Sequence, residues 1–119
     1  MAEFLNPFSG LTPDKKMSLS ELIRAIRLSI AAEEEAIHLY TAQADATDHP
    51  LAKKVLLDIA DEERVHAGEF LRLLQILTQD EDQFLAEGKQ EVEEMREELY
   101  QEGKIVEGEP PTVGPLKES

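Results

Sequence analysis

LAKKVLLDIADEERVHAGEFLRLLQIL, residues 51–77, decides the fold. Within it Ala52, Leu56, Ile59, Glu63, His66, Phe70, Leu73 and Leu77 follow one another in alternating steps of four and three. That spacing predicts a helix from about Leu51 to about Leu77 with a coiled-coil-like contact face. Two members of the face, Glu63 and His66, are not apolar, and both have donor atoms suited to a metal ion. Just upstream, Thr47-Asp48-His49-Pro50 is a short run of turn formers, and proline is well tolerated in the first turn of the following helix. Further back, Ser18-x-x-Glu21 is a capping box whose hydroxyl and carboxylate each satisfy one orphan amide, so a first helix should run from about Leu19 to about Ala46. Its Ile23, Ile26, Ile30, Ile37 and Tyr40 form one stripe, and Glu33 sits in that stripe between Ile30 and Ile37. Two long helices joined by so few residues should lie antiparallel.

Downstream, Thr78-x-x-Glu81 and Asp80-x-x-Gln83 both offer caps for a third helix reaching roughly Tyr100, with a narrow apolar line at Leu85, Gly88, Val92, Met95 and Leu99. Asp80 to Glu109 holds 12 acids against 3 bases, so this helix should be wet on its outside. After Gly103 the chain turns rich in Glu, Gly and Pro, a composition that stays disordered until bound. At the other end, Asn6-Pro7, Gly10 and Thr12-Pro13 read as an extended arm. The expected organisation is therefore an arm over 1–17, an all-α helical domain over 18–103 and a flexible tail over 104–119. No internal repeat beyond the helical heptad is visible.

The chain has 119 residues and a formal charge of -14 at pH 7. Such an acidic excess argues against nucleic acid and anionic membrane, and in favour of cations or basic partners. Zero cysteines exclude disulfides, thiolate metal sites and thiol nucleophiles. No stretch approaches the roughly 20 consecutive apolar residues that span a bilayer, and no signal peptide is evident, so a cytosolic location is expected. With aromatics at 5% the core must be aliphatic and thin, which suits helices that finish burying themselves in an oligomer.

Glu63 and His66 are three residues apart, roughly 60° around one helix face, so both side chains can reach the same ion. Carboxylate oxygen with imidazole nitrogen suits iron, manganese or zinc. An ionised carboxylate in a dry seam costs several kcal/mol, on the order of a buried unpaired charge, unless a partner or metal compensates it. Antiparallel geometry lets Glu33, midway along the first helix, face Glu63 and His66 midway along the second. The competing reading is structural: a buried Glu63 and His66 pair that fixes register in a metal-free helical adaptor.

A second Glu-x-x-His, Glu35-Ala36-Ile37-His38, lies on the other side of the helix. At 100° per residue Glu35 is about 160° from Glu33, and His38 is about 140° away in the opposite sense. Both should point to solvent or an interface, and Glu34, Glu35 and Glu62 can form an acidic approach for cations. A carboxylate-bridged di-iron bundle needs one Glu from each of two helices and one Glu-x-x-His from each of two others. This chain supplies half of that list, and the third helix contains no histidine. A second copy on a two-fold axis would supply the rest, so the site is expected at a homodimer interface within a four-helix bundle.

Ala32-Glu33-Glu34-Glu35-Ala36-Ile37-His38-Leu39-Tyr40 with Asp61-Glu62-Glu63-Arg64-Val65-His66-Ala67 resembles the encapsulated ferritins, short members of the ferritin-like superfamily. The likeness covers roughly Ser18 to Leu77 and continues into the third helix. Separately, Thr112-Val113-Gly114-Pro115-Leu116-Lys117 resembles the peptides that direct cargo into encapsulin shells. The resemblance implies that Glu33, Glu63 and His66 are ferroxidase ligands to a di-iron centre shared by two subunits, with Tyr40 on the same face. It implies rings of dimers, commonly decamers, that oxidise Fe(II) and leave the mineral to the surrounding nanocompartment. Glu35 matches a carboxylate of an outer metal site in some members, while Ala32 and Leu39 stand where those members have an acidic residue and a tryptophan. A rubrerythrin-like peroxidase on the same bundle is the alternative enzyme; rubrerythrins carry both ligand sets in one chain, and this seam carries one.

Overall fold

The computed structural model describes residues 15–106 and 108. Most of the expected arm over 1–17, and most of the tail over 104–119 with its targeting-like peptide, lie outside these residues. The described chain is all-α, with α1 over Leu19–Asp45, α2 over Pro50–Thr78 and α3 over Glu81–Gln101.

The start of α1 is set as its sequence dictates. The Ser18 hydroxyl accepts from the Glu21 amide at 3.1 Å, and the Glu21 carboxylate accepts from the Ser18 amide at 2.8 Å. Hydrogen bonds from the Ser18 amide and then its hydroxyl hold the Glu21 carboxyl below the ordinary glutamate range. For α2 the cap is His49, whose Nδ1 accepts from the Ala52 amide at 3.2 Å while Pro50 takes the first helical position. The caps expected of Thr78 and Asp80 at α3 do not form. Thr78 is the last residue of α2, with its hydroxyl donating back to the Leu74 carbonyl at 2.9 Å, and Asp80 makes no side-chain capping bond.

The chain divides at Gln79 into two compact units. In the first, α1 and α2 form an antiparallel hairpin through the turn at residues 46–49. The Lys53 ammonium donates to the Ala44 carbonyl at 2.7 Å, tying the start of α2 to the otherwise open C-terminal end of α1. On α1 the stripe is as its spacing predicts: Ile26 and Ala44 are buried, and Ile23, Ile30, Glu33, Ile37 and Tyr40 are half-buried.

On α2 the contact with α1 sits to one side of the predicted seam. Ala60 and Leu74 are the buried residues, and Leu56, Glu63, Ala67, Phe70 and Leu77 are half-buried. These positions also step by four and three, sharing Leu56, Glu63, Phe70 and Leu77 with the predicted line and adding Ala60, Ala67 and Leu74; of the other predicted positions Ala52 and Ile59 are half-buried, and His66 and Leu73 are exposed. The small alanines let α1 approach closely on that side. His66 and Leu73 belong to a second flank that the hairpin leaves open: Leu73 is 39% exposed, and Val55, Leu51 and Ile76 lie on the same side, all exposed. A helix apolar over this width has more surface than one neighbour covers.

In the second unit α3 stands with no buried residue. It ends in a Schellman turn: Gly103, at φ 74, donates to the Tyr100 carbonyl, and the Lys104 amide donates to the Leu99 carbonyl at 2.9 Å. No helix among the described residues is long and apolar enough to cross a membrane.

Candidate metal centre

Halfway along the hairpin, α1 brings Glu33 against α2's Glu63 and His66. One ligand atom from each lies within 4.8 Å of the others, the single such group of three among the described residues. The geometry follows from the two helix patterns. Glu33 and Glu63 each occupy the central line of their own contact stripe, and the short turn fixes the register that sets them level. His66, one turn further on, sits on α2's open flank.

Sheltering differs among the three. The Glu33 and Glu63 side chains are 16% and 20% exposed, whereas His66 is 47% exposed. The expectation that all three sit in a dry seam therefore holds for the carboxylates and not for the imidazole in a single chain. In the single chain His66 lies at the edge of the contact face, because the sequence carries two overlapping four-three lines and only packing selects between them.

His66 Nδ1 is 3.7 Å from Glu33 Oε2 and 3.7 Å from Glu63 Oε1. Both distances are too long for a hydrogen bond and short enough for attraction once the imidazole is protonated. Glu33 Oε2 is buried and has no hydrogen-bond donor. Polar atoms buried without a partner are rare, because each costs its full desolvation penalty. Two acidic side chains and an imidazole thus surround a gap that none of them fills for another. A divalent cation fits this donor set: hard carboxylate oxygens with one nitrogen, an orphaned oxygen to satisfy, and two negative charges to offset.

The same arrangement raises the Glu33 carboxyl above the ordinary glutamate range. Glu63 is the main cause, since it accepts a hydrogen bond from Glu33 only when Glu33 is protonated; burial and the Glu63 charge add to this, and His66 opposes it. A raised carboxyl contributes stability that is fully present below the unfolded value and is lost as pH rises through the folded value. At neutral pH the ionised Glu33 is accordingly a net cost to the metal-free chain. Glu33→Gln is expected to raise the metal-free Tm at neutral pH and to flatten the fall in Tm above the ordinary glutamate range; an unaltered Tm would show that the carboxylates are not in conflict.

Of the other sequence candidates, Glu34, Glu35, Glu62 and His38 are all exposed and lie outside the group of three. Tyr40 is half-buried on the α1 stripe.

Residues 25–109 match the family described as Rubrerythrin, which spans most of the chain including both helices that carry the site. The chain belongs to the rubrerythrin family. Among members of this ferritin-like family, it is similar to the encapsulin nanocompartment cargo protein EncC of Myxococcus xanthus, at 46% identity over 91 residues, covering 76% of this chain and 67% of that protein. It is 40% identical over 91 residues to a ferritin-like–encapsulin shell fusion protein of Pyrococcus furiosus, of whose length the match covers 26%. The fold agrees with the crystal structure of the encapsulated ferritin domain from Pyrococcus furiosus at a TM-score of 0.69 and 38% identity, covering 78% of this chain and 94% of that one. The likeness to encapsulated ferritins read from the two acidic helical stretches is borne out, and so is the all-α ferritin-like fold.

Proposed function

We propose that this rubrerythrin-family chain is a ferroxidase that oxidises Fe(II) to Fe(III) at a di-iron centre completed by two copies of itself. The observation that carries the reading is the orphaned, buried Glu33 Oε2 facing Glu63 and His66 on the side of the hairpin where α2 stays open. Iron, when bound, supplies one electron per Fe(II), so a pair can reduce a two-electron oxidant such as peroxide, or O2 to peroxide.

The residues divide the remaining work. Glu33 and Glu63 bring negative charge that favours the rise from Fe(II) to Fe(III), and a carboxylate can accommodate that rise by changing between one-oxygen and two-oxygen binding. His66 supplies a neutral nitrogen when deprotonated. The shelter of the two carboxylates keeps water from meeting their charge. With the open flanks of two hairpins face to face, Ile59 and Leu73 on either side of His66 would be covered and the three residues of each chain would meet their own copies across a two-fold axis. This makes the four-helix bundle from two hairpins and leaves the single chain inactive. A peroxidase of the rubrerythrin type would need a second ligand set in the chain, and the described residues hold one.

Two irons per dimer are expected after anaerobic Fe(II) loading. Less than one per dimer, with no change on Glu63→Ala, would contradict the proposal and leave the metal-free adaptor.

We further propose that the chain is cargo of an encapsulin shell, housed in a cytoplasmic nanocompartment that stores the iron it oxidises, and that its dimers join as a decameric ring. Support comes from the named relatives and from the tail. In residues 110–119, Val113 and Leu116 are apolar knobs, Gly114 allows close backbone approach, and Pro115 reduces the entropy lost on docking. The full chain should be recovered with the shell protein in a pull-down, and a chain ending at Glu109 should not; equal recovery would discard targeting by the tail.

A further inference from the structure

The hairpin site uses one side of α2, and the opposite side has a line of its own. Measured around the helix from the buried Leu74, His66 and Leu73 lie in one sense, while Leu71, Arg64 and Leu57 lie about 60° to 100° away in the other. Leu71 and Leu57 are 36% and 42% exposed, and the Arg64 side chain between them is 72% exposed. A side chain built at Gly68, one turn beyond Arg64, would meet nothing within 4 Å, so the ground beside the arginine is open. Single exposed leucines are ordinary on a protein surface. These two stand seven residues on either side of Arg64, which makes a row of three places roughly 10.5 Å apart that drifts only about 20° per step.

The N-terminal arm has the matching period. Residues 1–14, outside the described residues, include Leu5, Phe8 and Leu11, with Pro7 and Pro13 among them. Proline favours the polyproline II conformation, whose three residues per turn and 3.1 Å rise set Leu5, Phe8 and Leu11 on one edge at about 9.3 Å spacing. Leu5 to Leu11 then spans about 19 Å, against about 21 Å from Leu57 to Leu71. Chain direction agrees. The antiparallel hairpin puts the start of α1, from which the arm leaves, beside the end of α2, so Leu11 meets Leu71 and Leu5 meets Leu57. Seven peptide units separate Leu11 from Ser18, a reach of about 23 Å, which exceeds a helix width of roughly 10 Å. Charge agrees too: Glu3 comes level with Lys53 and Lys54, and an arginine beneath a phenylalanine ring is a favourable cation–π pair.

We infer that the arm packs in extended form along this side of its own α2, with Leu5 on Leu57, the Phe8 ring over Arg64 and the open ground at Gly68, and Leu11 on Leu71. Arg64 gives up little in the exchange, since its ion pair with Asp61 is exposed and 3.7 Å long. This surface is separate from Glu33, Glu63 and His66 and from the flank proposed for a second copy, so the inference does not depend on the proposed function.

The chain has no cysteine, so an introduced pair reports on itself alone. In the full chain, Phe8→Cys with Gly68→Cys should close a disulfide under diamide, within one chain, at least about tenfold faster than Phe8→Cys with Glu69→Cys, because docking raises the local concentration of one thiol at the other. The control pair has nearly the same sequence separation, and its second residue points about 100° further around α2. Adding Leu57→Asp to the fast pair should slow it to the control rate. Adding Leu5→Ser and Leu11→Ser, which alter the arm and leave the packing of α1 on α2 untouched, should slow it equally. Equal rates for the two pairs, no slowing by the arm substitutions, or disulfides formed chiefly between chains would overturn the inference.

Discussion

His66→Ala and Glu33→Ala are each expected to reduce aerobic Fe(II) oxidation, followed optically, by roughly 100-fold or more, since even groups that merely orient metal ligands are worth about 10- to 100-fold. The ligand change itself should exceed that range. The two variants should differ in stability. Glu33→Ala removes the buried, unpartnered oxygen and its conflict with Glu63, so the metal-free chain should not lose stability from lost hydrogen bonding. His66 is nearly half exposed in the single chain, so His66→Ala should leave the hairpin intact and remove iron binding alone. Wild-type turnover in either variant would show that the three side chains are a register device and not a site.

Ile59→Asp and Leu73→Asp are expected to convert the protein from dimer to monomer at the hairpin face and to abolish oxidation with Glu33, Glu63 and His66 all present. Leu73 is exposed on the flank of α2 that α1 leaves open and Ile59 is half-buried at the edge of that flank, on either side of His66. Placing an unpaired carboxylate in a covered apolar face costs several kcal/mol, about 3 kcal/mol or more, which corresponds to a weakening of roughly 100-fold in the dimer constant. The fold of the single hairpin should survive, because Ala60 and Leu74, on the other side of α2, carry its packing. Full activity in a species shown to be monomeric would contradict the shared site.

Local signals in the sequence carried most of the fold. The Ser18 capping box places the start of α1 at Leu19, and the turn at Thr47 to His49 fixes an antiparallel hairpin. The level at which Glu33, Glu63 and His66 meet follows from those two facts and the helical rise. Three features were not legible. The seam of α2 could be drawn through Ile59 and His66 or through Ala60 and Ala67, since both lines step by four and three and hydrophobicity alone does not rank isoleucine above a closely packed alanine. Histidine is an uncommon helix cap, so His49 gave no signal beside the proline that follows it. At α3, Thr78 and Asp80 had the right residue types, but α2 continues through Thr78 and is capped at Gln79, whose φ of 67 puts a non-glycine residue in the left-handed region. Asp80 itself has helical rather than extended backbone angles, φ -119 and ψ -4, and makes no side-chain capping bond. Glu35 and His38 are exposed and lie outside the group of three, as their angles around the helix from Glu33 require.

The most direct test is an anomalous difference map at the iron edge from crystals of the full chain loaded anaerobically with Fe(II). One iron per chain is expected, two together about a two-fold axis, each within bonding distance of oxygens or nitrogens from Glu33, Glu63 and His66 of two copies. Iron bound wholly by one chain, or no iron between these residues while two copies lie face to face, would contradict it.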